Sequence, residues 1–262
     1  AAAVQPLLEE LFDVTACYFP VTYTPPAGDT TGITRQQIAG ALGAVLGGSH
    51  HMAELLVPLL LEKLSSTRQL AKQDAIALLV TACNNYGIVP FPGTAGGATK
   101  RPRGHSQDQE GATEPPLGLY SQLPSLRDAF IAELTHSQDE SVHAGVMQGV
   151  SAVAAAVSRD VDSRGPTAGD AWAAFVLPIF KFCLGELEKA PDSMQARVCR
   201  KGLAALSASG ARCLRLVFGE TMPLLLNSIQ LAASPLTVTA CISTLELLLL
   251  AVDRKVDFAG EA

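Results

Sequence analysis

Glu140 and His143 are the first residues in this chain whose types and spacing could do chemistry. Three positions apart on a helix, a carboxylate and an imidazole share a face and supply part of a di-iron carboxylate site, which also requires a second such pair and two further carboxylates. No second copy is expected, so the expected state is the plainer one, an exposed pair on a helix surface. His51 and Glu54 show the reversed order, with no suitable third ligand at His50, and read as the solvated start of a helix. Gly93 to Lys100, GTAGGATK, has the glycines of a phosphate loop but lacks the Gly-Lys-Ser/Thr end. No strand precedes it to aim backbone amides at a phosphate. Lys100, Arg101 and Arg103 form a small basic cluster that reads as linker solvation.

Cys17, Cys83, Cys183, Cys199, Cys213 and Cys241 are scattered and make no Cys-x-x-Cys pair, so no short loop can present two thiolates to a structural zinc. Buried, reduced and inert thiols are expected, in a reducing cytosolic or nuclear compartment. GxSxG, HExxH and GxGxxG are absent, and nothing places a nucleophile beside a base. No enzymatic activity, cofactor or metal is expected. A net charge of -6 argues against direct nucleic-acid binding, which draws on clustered Lys and Arg.

Hydrophobic residues make up 48% of the chain and charged ones 17%, a composition suited to buried helices. The mean hydropathy of +0.26 raises the question of a membrane. One of the two longest uncharged stretches, Thr221 to Leu245, is broken by Asn227, Gln230 and Pro235 and lacks the roughly 20 apolar residues a span requires. Residues 1 to 13 show no charged, apolar and cleavage regions in the order of a signal peptide. A soluble protein is expected.

The elements that must carry these residues repeat. A proline within an apolar run stands in LLVPLLLEKL (55 to 64), YSQLPSLRDAF (120 to 130), FVLPIFKFCL (175 to 184) and ETMPLLLNSI (220 to 229). Each run is followed by a small-residue helix core: AKQDAIALL (71 to 79), ESVHAGVMQGV (140 to 150), MQARVCRKGLAAL (194 to 206) and LTVTACISTLELLL (236 to 249). Pro58, Pro124, Pro178 and Pro223 are spaced by 66, 54 and 45 residues. The first interval falls to about 40 once residues 87 to 116 are set aside, the period of HEAT and armadillo helix pairs.

The predicted fold class is therefore all-α, a HEAT-like α-solenoid of antiparallel helix pairs. A single array over 1 to 262 is expected, a fragment of a longer one, with apolar faces on its terminal helices. Helices are predicted near 51–64 and 68–86, 119–135 and 138–159, 169–188 and 193–208, and 212–230 and 235–254. Ser137, Ser193 and Ser234 stand where second helices begin, and the prolines are expected to kink the first ones. Ahead of them, a first helix ends at Pro20 and another runs from 35 to 46, capped by Thr34 and stopped by Gly47 and Gly48. Residues 87 to 116, rich in proline and glycine without apolar periodicity, read as a disordered insertion.

The run LFDVTACYFPVTYTPPAGDTTGITR, Leu11 to Arg35, is the most distinctive in the chain. Its aromatic residues suit packing of a long crossing against neighbouring helices, or a proline-stiffened ridge offered ready-made to a partner. Candidate partner-binding residues are Tyr18, Phe19, Pro20, Thr24, Pro25, Pro26, Ile33 and Arg35 on this ridge. Gln73, Arg197 and Arg200 join them as polar positions on second helices.

This run, with AELLVPLLLEKL and AKQDAIALLVTACNNYG after it, resembles the N-terminal region of the Mms-nineteen family. Leu11, Phe12, Asp13, Val14, Cys17, Tyr18, Phe19, Pro20, Thr24, Pro25, Pro26, Asp29, Gly32, Ile33 and Arg35 fall on its pattern, and LPSL (123 to 126) and MPLLL (222 to 226) follow in order. The insertion at 87 to 116 departs from that family's short connection. The resemblance implies a long HEAT-repeat adaptor of the cytosolic iron-sulfur assembly targeting complex. It would bind other subunits of that complex and apo iron-sulfur clients of DNA repair, replication and transcription, in cytoplasm and nucleus. A general HEAT scaffold or transport adaptor is the alternative, and an all-helical metalloenzyme the reading from another class.

Overall fold

The computed structural model describes residues 5–28, 32–86, 118–164, 169–232 and 234–259. The expected insertion at 87 to 116 lies outside them. The described residues form helices and turns with no strand. The fold is all-α.

α1 (Gln5–Ala16) and α2 (Arg35–Leu46) lead the chain, followed by α3 (Ala53–Leu64), α4 (Gln69–Tyr86), α5 (Leu123–His136) and α6 (Glu140–Arg164). A short α7 (Gly169–Ala171) runs through a π-helical turn, Trp172–Val176, into α8 (Leu177–Lys189). α9 (Met194–Ala208), α10 (Ala211–Leu231) and α11 (Pro235–Ala259) complete the order.

Local signals explain most of these boundaries. Thr34 caps α2 through a complete capping box with Gln37, its side chain accepting from the Gln37 amide while Gln37 reaches back to the Thr34 amide. The box satisfies two donors that a helix start otherwise leaves unpaired. Ser193 caps α9 by accepting from the Ala196 amide at 3.0 Å. Ser137 does not start α6, as expected from sequence, but closes α5. The cap of α6 is Asp139, whose carboxylate accepts from the Ser141 amide at 2.7 Å and the Ser141 hydroxyl at 2.6 Å. A carboxylate at this position meets both the free amides and the positive end of the helix dipole.

The four prolines are not equivalent, which corrects the expectation of a mid-helix kink in each. Pro58 and Pro223 lie inside α3 and α10. Pro124 sits in the first turn of α5 after a 3-10 turn, Gly118–Gln122, where a missing N–H costs nothing. Pro178 sits in the first turn of α8, directly after the π-helical turn.

The helices pack as couples: α1 with α2, α3 with α4, α5 with α6, α8 with α9 and α10 with α11. Short connections such as Ser65–Arg68 suit antiparallel neighbours, whereas α1 and α2 are joined by the long crossing. The second helices form a row in the order α2, α4, α6, α9, α11, and α3, α5, α8 and α10 touch in turn on the other side. One cluster of buried apolar side chains runs between the rows from Phe12 to Leu248.

Small residues let the couples approach. Gly149 of α6 leaves room for Phe130 of α5, whose ring would lie 2.7 Å from a Cβ there. Phe130 in turn meets Phe175 edge-on, with ring centroids 6.1 Å apart. Among the described residues, two helices are long and apolar enough to cross a membrane by length and composition, within Glu140–Arg159 and Pro235–Val252. The first is 61% buried inside the protein and the second 28%. The second extends past the Thr221 to Leu245 stretch weighed from sequence, because the helix starts afresh at Pro235.

Candidate functional site

Arg35 ties down the crossing from α1 to α2. Arg35, the first residue of α2, donates from Nε to the Val21 carbonyl at 2.7 Å and pairs through Nη2 with Asp74 of α4. Asp74 is buried, so the ion pair sits where water screens it little. Arg35 thus ties the crossing, α2 and α4 together, and its role is positional. Phe19 leans on the core and Val21 is buried. These anchors leave Tyr18 69% exposed and Ile33 46% exposed. Thr24, Pro25 and Pro26 stand exposed in the crossing, and Pro20 is half-buried. Gly28 and Gly32 have φ of 84° and 66°, left-handed values that glycine adopts without strain.

Two clefts flank α2. One, of about 640 Å³, opens between α2 and α4 and is lined by Phe19, Arg35, Ala39, Gly40, Gln73 and Ala77 among others. The other, of about 660 Å³, lies between the crossing and the opposite side of α2, lined by Tyr18, Pro20, Tyr23, Ile38, Leu42 and Val45 among others. Of the ridge candidates, Thr24, Pro25, Pro26 and Ile33 line neither cleft, whereas Phe19 and Arg35 line the first together with Gln73, and Tyr18 and Pro20 line the second.

The other two candidates line neither cleft. Arg197 is exposed on α9. Arg200 is only 7% exposed, with Nη1 donating to the Ala240 carbonyl at 3.3 Å and Nη2 to the Pro191 carbonyl at 3.1 Å. Burial, with Arg197 nearby, pulls its pKa down. Arg200 is a cross-link from α9 to α11, not an open contact, which corrects its placement on a partner surface.

Similar ties join the other second helices. Asn85 donates to the Gly47 carbonyl at 2.9 Å, Gln73 to Ser141 at 3.1 Å, and Gln69 bonds Asp139. Lys201 reaches Glu140 at 2.7 Å, and Arg159 reaches the Cys83 carbonyl at 3.2 Å. These bonds set the helix spacing that the row presents.

The expected exposed pair is only half correct. Glu140 is exposed and engaged by Lys201, whose hydrogen bond holds its carboxyl below the usual range. His143 is buried, and its Nε2 has no hydrogen-bond partner. Glu133 and His136 repeat the spacing on α5, which corrects the expectation of no second copy, yet Glu133 pairs with Lys72 at 2.5 Å. Among the described residues no three His, Cys, Asp or Glu side chains converge as metal ligands.

Five cysteines are buried and Cys17 is exposed, so the expectation of buried thiols fails at that one position. Burial pushes the Cys83 thiol up to about 12. Contact with Cys199, then burial, raises that of Cys183.

Asp74 and Asp139 are the residues sequence reasoning passed over. Each had a signal. Asp74 interrupts the buried stripe of α4, where a lone charge demands a partner, and Asp139 precedes α6 by one position, where carboxylates cap.

A family described as a Dos2-interacting transcription regulator of RNA-Pol-II, in its MMS19 N-terminal model, matches residues 1–91. An MMS19 nucleotide excision repair protein homolog of Xenopus laevis is 33% identical over 225 residues, 86% of this chain. The chain belongs to the MMS19 family. The Homo sapiens MMS19 homolog is 32% identical over 222 residues, and that of Danio rerio 44% identical over 79 residues, 30% of this chain. The chain spans 19% of the length of the Xenopus laevis MMS19 homolog, 18% of the human one and 8% of the zebrafish one.

Proposed function

We propose that the chain is part of a non-enzymatic adaptor acting in nucleotide excision repair. In the finer reading it is a HEAT-repeat adaptor of the cytosolic iron-sulfur cluster assembly targeting complex. Its partners are other subunits of that complex and apo iron-sulfur clients of DNA repair, replication and transcription. It works in cytoplasm and nucleus, without direct nucleic-acid or membrane binding.

The observation that carries this reading is the similarity over 225 residues to proteins named for nucleotide excision repair. The geometry fits an adaptor. Side chains such as Tyr18 and Ile33 are held outward by anchors beneath them, so little order has to be gained on binding. Contacts spread over a row of helices suit recognition by area.

Affinity capture of the intact protein, with identification of what accompanies it, tests the reading. Targeting subunits and iron-sulfur proteins of repair and replication are expected. Transport cargo in their place would favour a general HEAT scaffold, and stoichiometric iron or zinc in the purified chain would overturn the non-enzymatic reading.

A further inference from the structure

The connection between α5 and α6 is three residues, Ser137, Gln138 and Asp139, and side chains of the couples on both sides end on it or beside it. From α4, Gln69 bonds Asp139, Lys72 pairs with Glu133, and Gln73 donates to the Ser141 hydroxyl. From α9, Gln195 donates to the Leu134 carbonyl at 3.0 Å and Lys201 to the Glu140 carboxylate at 2.7 Å. Charge placed here acts on two neighbours at once.

Ser137 opens this connection with φ of -72° and ψ of 139°, which is extended backbone. It is half-buried, its hydroxyl oxygen accepts from the Asp139 amide at 3.3 Å, and Thr135, His136 and Gln138 around it are exposed. Phosphoryl transfer depends on positioning the acceptor hydroxyl in line with ATP. Extended backbone offers that hydroxyl, whereas a helix turns its side chains back onto the preceding turn. Ser121 supplies the contrast, because it too is followed by glutamine. It lies within the 3-10 turn Gly118–Gln122, with Gln122 half-buried and Leu123 fully buried.

We propose that Ser137 is a phosphorylation site for a serine kinase that reads glutamine at the following position, and that its phosphate loosens the ties from α4 and α9. The Ser137 Oγ attacks the terminal phosphorus of ATP, forming an O–P bond as the bond from that phosphorus to its bridging oxygen breaks. ADP leaves, and the hydroxyl proton passes to a base of the kinase. The product carries about two negative charges. They repel the Asp139 carboxylate and compete with Glu133 and Glu140 for Lys72 and Lys201.

The full chain, incubated with ATP and a glutamine-directed serine kinase active on its own peptide substrate, tests this by mass spectrometry of the phosphoserines. Ser137 should carry phosphate and Ser121 should not. Gln138→Ala should cut labelling of Ser137 about tenfold, the worth of one hydrogen-bonded side chain in the kinase cleft. The phosphorylated chain should melt below the untreated one, while Ser137→Ala treated in the same way should not shift. An unlabelled Ser137, labelling of Ser121 at the same level, labelling indifferent to Gln138→Ala, or an unshifted melting temperature on phosphorylation overturns the inference.

Discussion

Arg35 and Asp74 show how a charge inside an apolar stripe becomes a structural joint. Arg35→Ala leaves a buried carboxylate without its partner, so a loss of about 3 kcal/mol is expected. The double variant with Asp74→Ala should lose less than Arg35→Ala alone, because no charge is then stranded. Urea unfolding of the three proteins measures this. Additive losses would contradict the pairing. Asp139 gives a pH dependence. The Ser141 hydroxyl, then the Ser141 amide, holds its carboxyl below the usual range. A carboxyl depressed in the folded state adds stability above its unfolded pKa, near 4. That stability is lost as pH falls through the lowered folded value. Acidification should therefore lower the amide protection factors of Ser141 and Val142, each measured against the unfolded exchange rate at the same pH, in the parent but not in Asp139→Asn. Thiol reactivity separates the cysteines: in native protein a small alkylating agent should modify Cys17 and spare Cys83, which burial holds protonated.

The helices depend on small residues as much as on large ones. Alanine is favoured over glycine in a helix by about 1 kcal/mol, so the sign of a Gly→Ala change reports local crowding. At Gly149 the new Cβ would meet the Phe130 ring at 2.7 Å, and that ring is confined by Phe175. Overpacking of this kind costs about 1–3 kcal/mol, so Gly149→Ala should lower the melting temperature. At Gly40 nothing lies within 4 Å of an added Cβ, and Gly40→Ala should raise it. The helices themselves were legible from apolar spacing, and α2 was legible at both ends because Thr34, Gln37 and Gly47 are all local signals. The prolines were less so. A proline looks the same in sequence whether it lies in mid-helix, as Pro58 does, or follows a π turn, as Pro178 does.

The row of second helices is what the molecule offers as a whole, and its two ends differ. At the α2 end the crossing covers the row and presents Tyr18 and Ile33. At the α11 end Leu236, Ile242, Leu249 and Leu250 are exposed. Concentration-dependent self-association of this chain is predicted, and Leu236→Glu with Ile242→Glu should abolish it in sedimentation velocity. A single monomeric boundary for the unmodified chain at high concentration would contradict the prediction. Of the candidate surface, the ridge could be read from sequence because its aromatic and proline residues are contiguous. Arg200 could not, because exposure of a residue on a helix depends on the neighbour it meets, here α11.

The central claim is that an exposed surface, and no reactive group, is the working part. Its most direct test is quantitative capture by the intact protein carrying Tyr18→Glu and Ile33→Glu, two exposed positions whose change leaves the core untouched. The account predicts loss of iron-sulfur repair proteins from the captured set at an unchanged melting temperature. Capture of those proteins at the level of the unmodified protein would contradict it.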